Sequence, residues 1–248
     1  MSAKYHTPVQ KASPIPAYYQ IGADLRNRIL GQEWKEQEKL PSENELAVLY
    51  RASRVTVRQA LNTLEKDGLI RKVRGSGSIV QRVPQPIIHD FSLASTLCAK
   101  LGQKGVSLAA RLISLHAAPG SARACQALKV QTGEPLTHIR RLFLQAGRPI
   151  ALNDSRIAAS MLPGIERDGL IDGHLSVTLS SRYNLVPVRV DNTLEAVRAS
   201  AAEISLLEVS YDTPMIAVSS LSFLPYDVPL EQSRTLWLGD RVKFHFNM

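Results

Sequence analysis

This 248-residue sequence predicts an α+β protein of two domains. Three observations carry that expectation. Over residues 14–82 apolar side chains recur every three or four positions, then give way to two short strands joined at Gly75-Ser76-Gly77. That is the pattern of a winged helix-turn-helix. Residues 83–91 follow as a linker, because Pro84 and Pro86 forbid helix and favour an extended connector. Over 92–246, hairpin-joined strands alternate with single helices, which argues an antiparallel-sheet α+β domain. The length suffices for two domains with substantial cores.

In the first domain, Pro14-Ile15-Pro16 precedes a helix whose Tyr18, Ile21, Leu25 and Ile29 share one face, and Gly31 stops it. Trp34, in the charged segment that follows, is expected to act as a packing lid. Ser42 with Glu45 three residues on is a capping box that starts a second helix, with Leu46, Ala47, Leu49 and Tyr50 on its buried side. Arg51-Ala52 makes the turn and Ser53 caps a third helix. There Val57, Ala60, Leu61 and Leu64 form the core stripe, and Asp67-Gly68 ends it. Leu69–Arg74 and Ser78–Val80 read as the hairpin strands. The glycines at the tip allow a tight turn and a close approach to another chain.

In the second domain, strands are expected at Val106–His116, Leu136–Gln145, Ile150–Ile157, Val188–Val197, Met215–Leu224 and Gln232–Phe246. Helices are expected at Ser121–Val130, Leu175–Asn184 and Ala199–Val209, with Ala146-Gly147 turning a hairpin.

Charge locates the polyanion-facing surface. The net charge is +8, and residues 51–82 alone carry eight basic and two acidic side chains. Such a local excess is the electrostatic footprint of a nucleic-acid-binding face. Arg54 and Arg58 lie one helical turn apart on the side away from the core stripe, with Thr56 and Gln59 beside them and Arg51 just before the cap. These groups suit phosphate contact and the reading of guanine edges in a major groove. Gly75-Ser76-Gly77 begins like a dinucleotide fingerprint, but Val80 stands in place of the third glycine and no helix pattern follows, so that reading is rejected.

Other classes find little in the chain. No apolar run approaches the roughly 20 residues of a membrane span, and no N-terminal signal segment is evident, so a cytoplasmic protein is expected. Cys98 and Cys125 offer neither a disulfide framework nor metal spacing, and are expected to be small buried hydrophobes. The six histidines, at 6, 89, 116, 138, 174 and 245, show no metal spacing. No nucleophile elbow or carboxylate pair stands out, so no cofactor, metal or catalytic residue is expected.

The first domain resembles the DNA-binding domain of the GntR family of bacterial transcription regulators. The residues that carry the match are Leu40-Pro41-Ser42-Glu43, Ser53-Arg54, Thr56-Val57-Arg58, Ala60-Leu61, Leu64, Asp67-Gly68-Leu69-Ile70, and Gly75-Ser76-Gly77 with Val80. The resemblance implies double-stranded operator DNA as partner. It implies contacts from Ser42, Asn44, Arg51, Ser53, Arg54, Thr56 and Arg58, and a wing tip (Arg74, Gly75, Ser76, Gly77) in the minor groove. Asn44 stands where many members have Arg, and Arg51 where they have Gly. If that backbone needs positive φ, Arg51 costs of order 1 kcal/mol in strain.

The second domain resembles the UTRA effector-binding domain of the HutC branch of that family, whose fold is like that of chorismate lyase. Ala118-Pro119, Leu128, Gly133-Glu134-Pro135, Ile139-Arg140-Arg141-Leu142, Gly147-Arg148-Pro149-Ile150, Pro229–Ser233 and Gly239–Phe244 carry the match. It implies a homodimer and a small-molecule effector held by Arg141. Strand alternation sends Arg140 to the opposite face. Phe143 stands where many members have a second Arg, Asn153 where an acid is common, and His174-Leu175-Ser176 where the motif reads Ser-Leu-Tyr. Glu231 and Trp237 align with ligand-facing positions of the last strand. These departures point to a weakly anionic, partly apolar effector. Phe143 and Trp237 also suit a core, and His174 a cap. The alternative function is a chorismate-lyase-like enzyme fused to a DNA-binding module, and a third is a non-specific nucleic-acid binder.

Overall fold

The computed structural model describes residues 9, 13–73, 75, 77–81, 87–90 and 108–245. The chain divides into two compact units, Met1–Val83 with Glu208–Ser210 and Pro84–Leu207 with Tyr211–Met248.

The first unit holds α1 (Ala17–Leu30), α2 (Glu43–Tyr50), α3 (Arg54–Lys66), β1 (Ile70–Val73) and β2 (Gly77–Val80). Pro16 precedes α1, and the Gly31 N–H returns to the Asn27 carbonyl to close it. At α2 both halves of the capping box form: Ser42 Oγ accepts from Glu45 N, and Ser42 N donates to a Glu45 carboxylate oxygen. Two orphan donors are satisfied, a cap of about 1 kcal/mol. Ile21, Leu25 and Ile29 of α1 pack with Leu46 and Tyr50 of α2 and with Val57, Ala60, Leu61 and Leu64 of α3. Leu69, Ile70 and Val80 close that core from the hairpin, in which Ile70 pairs with Val80. Trp34 is half-buried against the same core, and the Arg28 guanidinium lies 4.6 Å from its ring centroid.

The second unit contains β3 (Ile87–Asp90), β4 (Ala109–Pro119), α4 (Ala122–Leu128), β5 (Pro135–Gln145), β6 (Arg148–Ala158), α5 (Ile165–Asp168), α6 (Leu175–Tyr183), β7 (Arg189–Val197), α7 (Ala201–Leu207), β8 (Met215–Leu224), β9 (Val228–Leu238) and β10 (Val242–His245). Six strands form one sheet in the order β4-β5-β6-β9-β8-β7, every neighbour antiparallel. Ala146 and Gly147 both take positive φ, 50° and 77°, at the β5–β6 turn. Two such residues match the twist of a two-residue hairpin. Period-2 alternation splits the sheet into two faces. On one, Ile139 and Ile157 pack with Ile165 of α5 and with Leu175 and Leu179 of α6. On the other, Leu136 and Ala158 pack with Ala124, Cys125 and Leu128 of α4.

Several boundaries differ from the sequence expectation. The single final strand expected at Gln232–Phe246 is two, because the chain turns at Gly239–Arg241. The second piece, β10, leaves the main sheet and pairs in parallel with β3, which lies in the segment expected to be a plain connector. A strand partner supplied from more than 150 residues away leaves no local signal. The helix expected at Ala199–Val209 is shorter, and the first large strand extends to Pro119. Arg74, Ser76 and Cys98 lie outside the described residues.

Candidate functional site

Two groups of side chains stand out, one in each unit. In the first, Ser53 caps α3 by accepting from Thr56 N at 3.1 Å, and its hydroxyl also lies 2.8 Å from the Thr56 hydroxyl. The cap fixes the helix start that carries Arg54, an exposed residue. Arg51 and Asn44 are exposed on the adjoining turn and on α2. Arg51 adopts φ 50°, ψ 43°, the left-handed C-cap of α2. That conformation joins two helices through a short turn, and it is the one a glycine would take without strain.

Arg58 is already engaged. Its Nε and Nη2 donate to the Glu43 carboxylate at 3.1 Å and 2.8 Å, joining α3 to α2. The Arg58 hydrogen bond and charge hold the Glu43 carboxyl below its ordinary range. The side chains remain 55% and 27% exposed, so the pair is a surface ion pair of small net worth. It aims a guanidinium rather than burying one. Spacing along the chain did not reveal Glu43, because its partner lies 15 residues on. At the wing, Gly75 and Gly77 have φ of 77° and 94°.

In the second unit, register puts Arg141, Asn153 and Thr235 directly opposite one another on β5, β6 and β9. Arg141 is 6% exposed, and its Nη2 donates to Asn153 Oδ1 at 2.6 Å. Asn153 Nδ2 donates to Thr235 Oγ1 at 2.9 Å. The Ser155 hydroxyl sits 2.5 Å from a Glu231 carboxylate oxygen and 3.0 Å from Asn153 Oδ1. A hydroxyl has one proton, and the shorter, charge-assisted bond to Glu231 takes it. Two residues along each strand, Phe143 and Trp237 face one another with centroids 6.3 Å apart, and Arg141 lies 5.3 Å from the Phe143 ring centroid. Phe143 and Trp237 are 3% and 1% exposed and share a core cluster with Ile150 and Val218.

The structure therefore brings Arg141, Phe143, Asn153, Glu231 and Trp237 onto one sheet face. Arg140 is on the other, paired with Asp154 at 2.6 Å. His174 and Ser176 stay outside the hydrogen-bonded row. His174 precedes α6, its carbonyl accepts from Thr178 Oγ1, and its Nδ1 is buried with no hydrogen-bond partner among the described residues. Gly173 holds that segment against β4: its φ is 74°, and a Cβ there would come within 2.6 Å of the Ala110 carbonyl oxygen. Ala110 pairs with Phe143, so His174 lies beside the apolar end of the row. Ser155 and Thr235 are members the sequence reading missed; only the strand register exposes them. Among the described residues no group of three or more His, Cys, Asp or Glu could hold a metal ion. No helix among them is long and apolar enough to cross a membrane.

Comparison with known proteins gives two family matches. Residues 103–243 match the UTRA domain, and residues 17–80 match the bacterial regulatory proteins of the gntR family. The chain is 26% identical over 240 residues to the HTH-type transcriptional repressor NagR of Bacillus subtilis, covering 95% of this chain and 96% of NagR. It is 28% identical over 209 residues to the repressor PhnF of Mycolicibacterium smegmatis, covering 84% of this chain and 83% of PhnF. The crystal structure of PhnF from Mycobacterium smegmatis superposes with a TM-score of 0.63 at 27% identity, over 92% of this chain and 98% of that one. These relatives are regulators and give the lyase reading no support.

Proposed function

Because the chain belongs to the gntR family of bacterial regulatory proteins and carries a UTRA domain, it is a ligand-responsive DNA-binding regulator; we propose that it is a HutC-branch repressor acting in the cytoplasm. As a homodimer it places two α3 helices in successive major grooves of a palindromic operator. Arg54 and Arg58 reach base edges or phosphates, Ser42, Asn44, Arg51, Ser53 and Thr56 fix the register, and the wing tip around Arg74–Gly77 lies on the minor groove. The observation that carries this reading is the capped N-terminus of α3, which presents hydroxyls, backbone donors and Arg54 on one exposed end.

The effector would sit on the Arg141 face, its acidic group on Arg141 and Asn153, with Glu231, His174 and Ser176 as further polar contacts. Phe143 and Trp237 set an apolar floor. One buried guanidinium beside a neutral amide and an aromatic ring favours a monoanion over a phosphosugar. The boundaries of this reading are 14–82 for the DNA-binding domain, 83–91 for the linker and 92–246 for the effector domain.

Binding to a palindromic promoter fragment, measured against scrambled DNA at physiological salt, tests it. Preference for the palindrome by about 10³-fold or more is expected. Equal affinity would leave only a non-specific binder.

A further inference from the structure

On the sheet face away from Arg141, a cavity of about 740 Å³ opens beside α4. Ser121 and Arg123 line it from the start of α4, Arg156 from β6, and Gln232, Ser233 and Arg234 from β9. Three arginines of this face lie on adjacent strands, and their pairing differs. Arg140 is held by Asp154 and Arg234 by Glu203, at 2.6 Å and 2.7 Å. Arg156, half-buried, has no hydrogen bond or ion pair among the described residues. The cavity's two carboxylates, Asp191 and Glu195, are on the edge strand β7, and Asp191 is taken by Arg189.

A second orphan lies next to it. His138 is the direct cross-strand partner of Arg156, and its Nε2 is buried with no hydrogen-bond partner among the described residues. On its other side His116 stacks on it at 5.5 Å, also in direct register. Burial comes first and the charges of Arg156 and His116 next in holding the His138 pKa below its ordinary value, against a smaller opposing pull from Asp154. A half-buried guanidinium without an acceptor and a buried imidazole nitrogen without a partner are both costly. Of the two, Arg156 lines the cavity, and an oxyanion held there would remove the cost at its guanidinium and offset the charge that Arg156 places on His138.

We propose that this groove is an anion-binding site, distinct from the Arg141 face, that takes the carboxylate or phosphate group of a small molecule on Arg156. Arg156 supplies the two-pronged donor, and Gln232 and Ser121 neutral ones. Arg123 adds charge at the mouth. The assignment stands whether or not the Arg141 face holds the effector.

Titrating the full chain with inorganic phosphate and, separately, with citrate, against sodium chloride of equal ionic strength, tests the site. Calorimetry reads binding, and the Cε1–H signals of the histidines read its place. Saturable binding is expected for phosphate if the site takes phosphoryl groups and for citrate if it takes carboxylates. Arg156→Gln should weaken that binding by about tenfold or more, since charge-assisted hydrogen bonds are lost. Arg141→Gln should leave it unchanged, and the His138 titration should move to higher pH when the anion is bound. A thermal melt of Arg156→Gln checks folding, and Arg156→Lys, which keeps charge but loses the fork, should fall between. The proposal fails if neither anion saturates, if Arg156→Gln binds as well as the parent, or if Arg141→Gln abolishes binding instead.

Discussion

Arg51 shows how a single residue links local strain to function. Its backbone sits at φ 50°, where a side chain costs roughly 1 kcal/mol that glycine avoids, offset in part by the greater freedom of glycine in the unfolded chain. Arg51→Gly should therefore raise thermal stability by a few tenths to about 1 kcal/mol while weakening operator binding through the lost charge. A lower melting temperature would refute the strain argument. Arg54 has no such structural role, so Arg54→Ala should leave stability unchanged and cost about 1–3 kcal/mol of operator affinity. An affinity within error of the parent would take Arg54 out of the interface. The conditional strain at Arg51 was legible in the sequence, since the position departs from a family glycine. The Glu43–Arg58 pair was not legible, because its two members lie on different helices.

At the scale of elements, that pair decides how α2 and α3 present charge. Glu43 has a lowered pKa, so the pair is intact at neutral pH, above the ordinary carboxylate value, and is lost as pH falls through the lowered one. With Glu43 in place, part of the Arg58 charge is spent within the protein. Glu43→Gln frees it for phosphate, and the slope of log affinity against log salt should steepen by about one per protomer. The same variant should narrow the gap between operator and scrambled DNA, since a released guanidinium grips any backbone. An unchanged slope would mean that Arg58 stays away from DNA. Element periodicity was easy to read wherever one face is buried: the stripe of α3 and the β5–β6 hairpin follow from it. The β3–β10 pair and the break at Gly239–Arg241 did not follow from it, because a short strand paired in parallel with a distant one has no period of its own.

For the whole molecule, the central question is what joins ligand to operator. The alternation of Arg140 and Arg141 correctly split the two sheet faces, but the sequence could not supply the row formed by Asn153, Thr235, Ser155 and Glu231. That row depends on strand order, with β9 reaching β6 only after the chain has run out to β7 and back. Its polar groups are close enough to reorganise together. Ser155 has one proton for two acceptors, and a carboxylate ligand on Arg141 would compete with Asn153 Oδ1 for the guanidinium. A carboxylate on Arg141 would give the row a second hydrogen-bond arrangement, and a ligand shifts an equilibrium only by binding one arrangement better than the other. Linkage then makes a strict demand. If a metabolite found by thermal-shift screening weakens operator binding by some factor, operator DNA must weaken metabolite binding by the same factor, in the range of roughly 5–150-fold for ordinary allosteric coupling. Asn153→Leu removes the acceptor that Arg141 uses in the unliganded state. Because Asn153 also holds the effector's acidic group in this reading, the variant should weaken metabolite binding and leave the intrinsic operator affinity of the first unit intact. A metabolite that still binds and still weakens operator binding after Arg141→Gln would show that it acts elsewhere than through the Arg141 face.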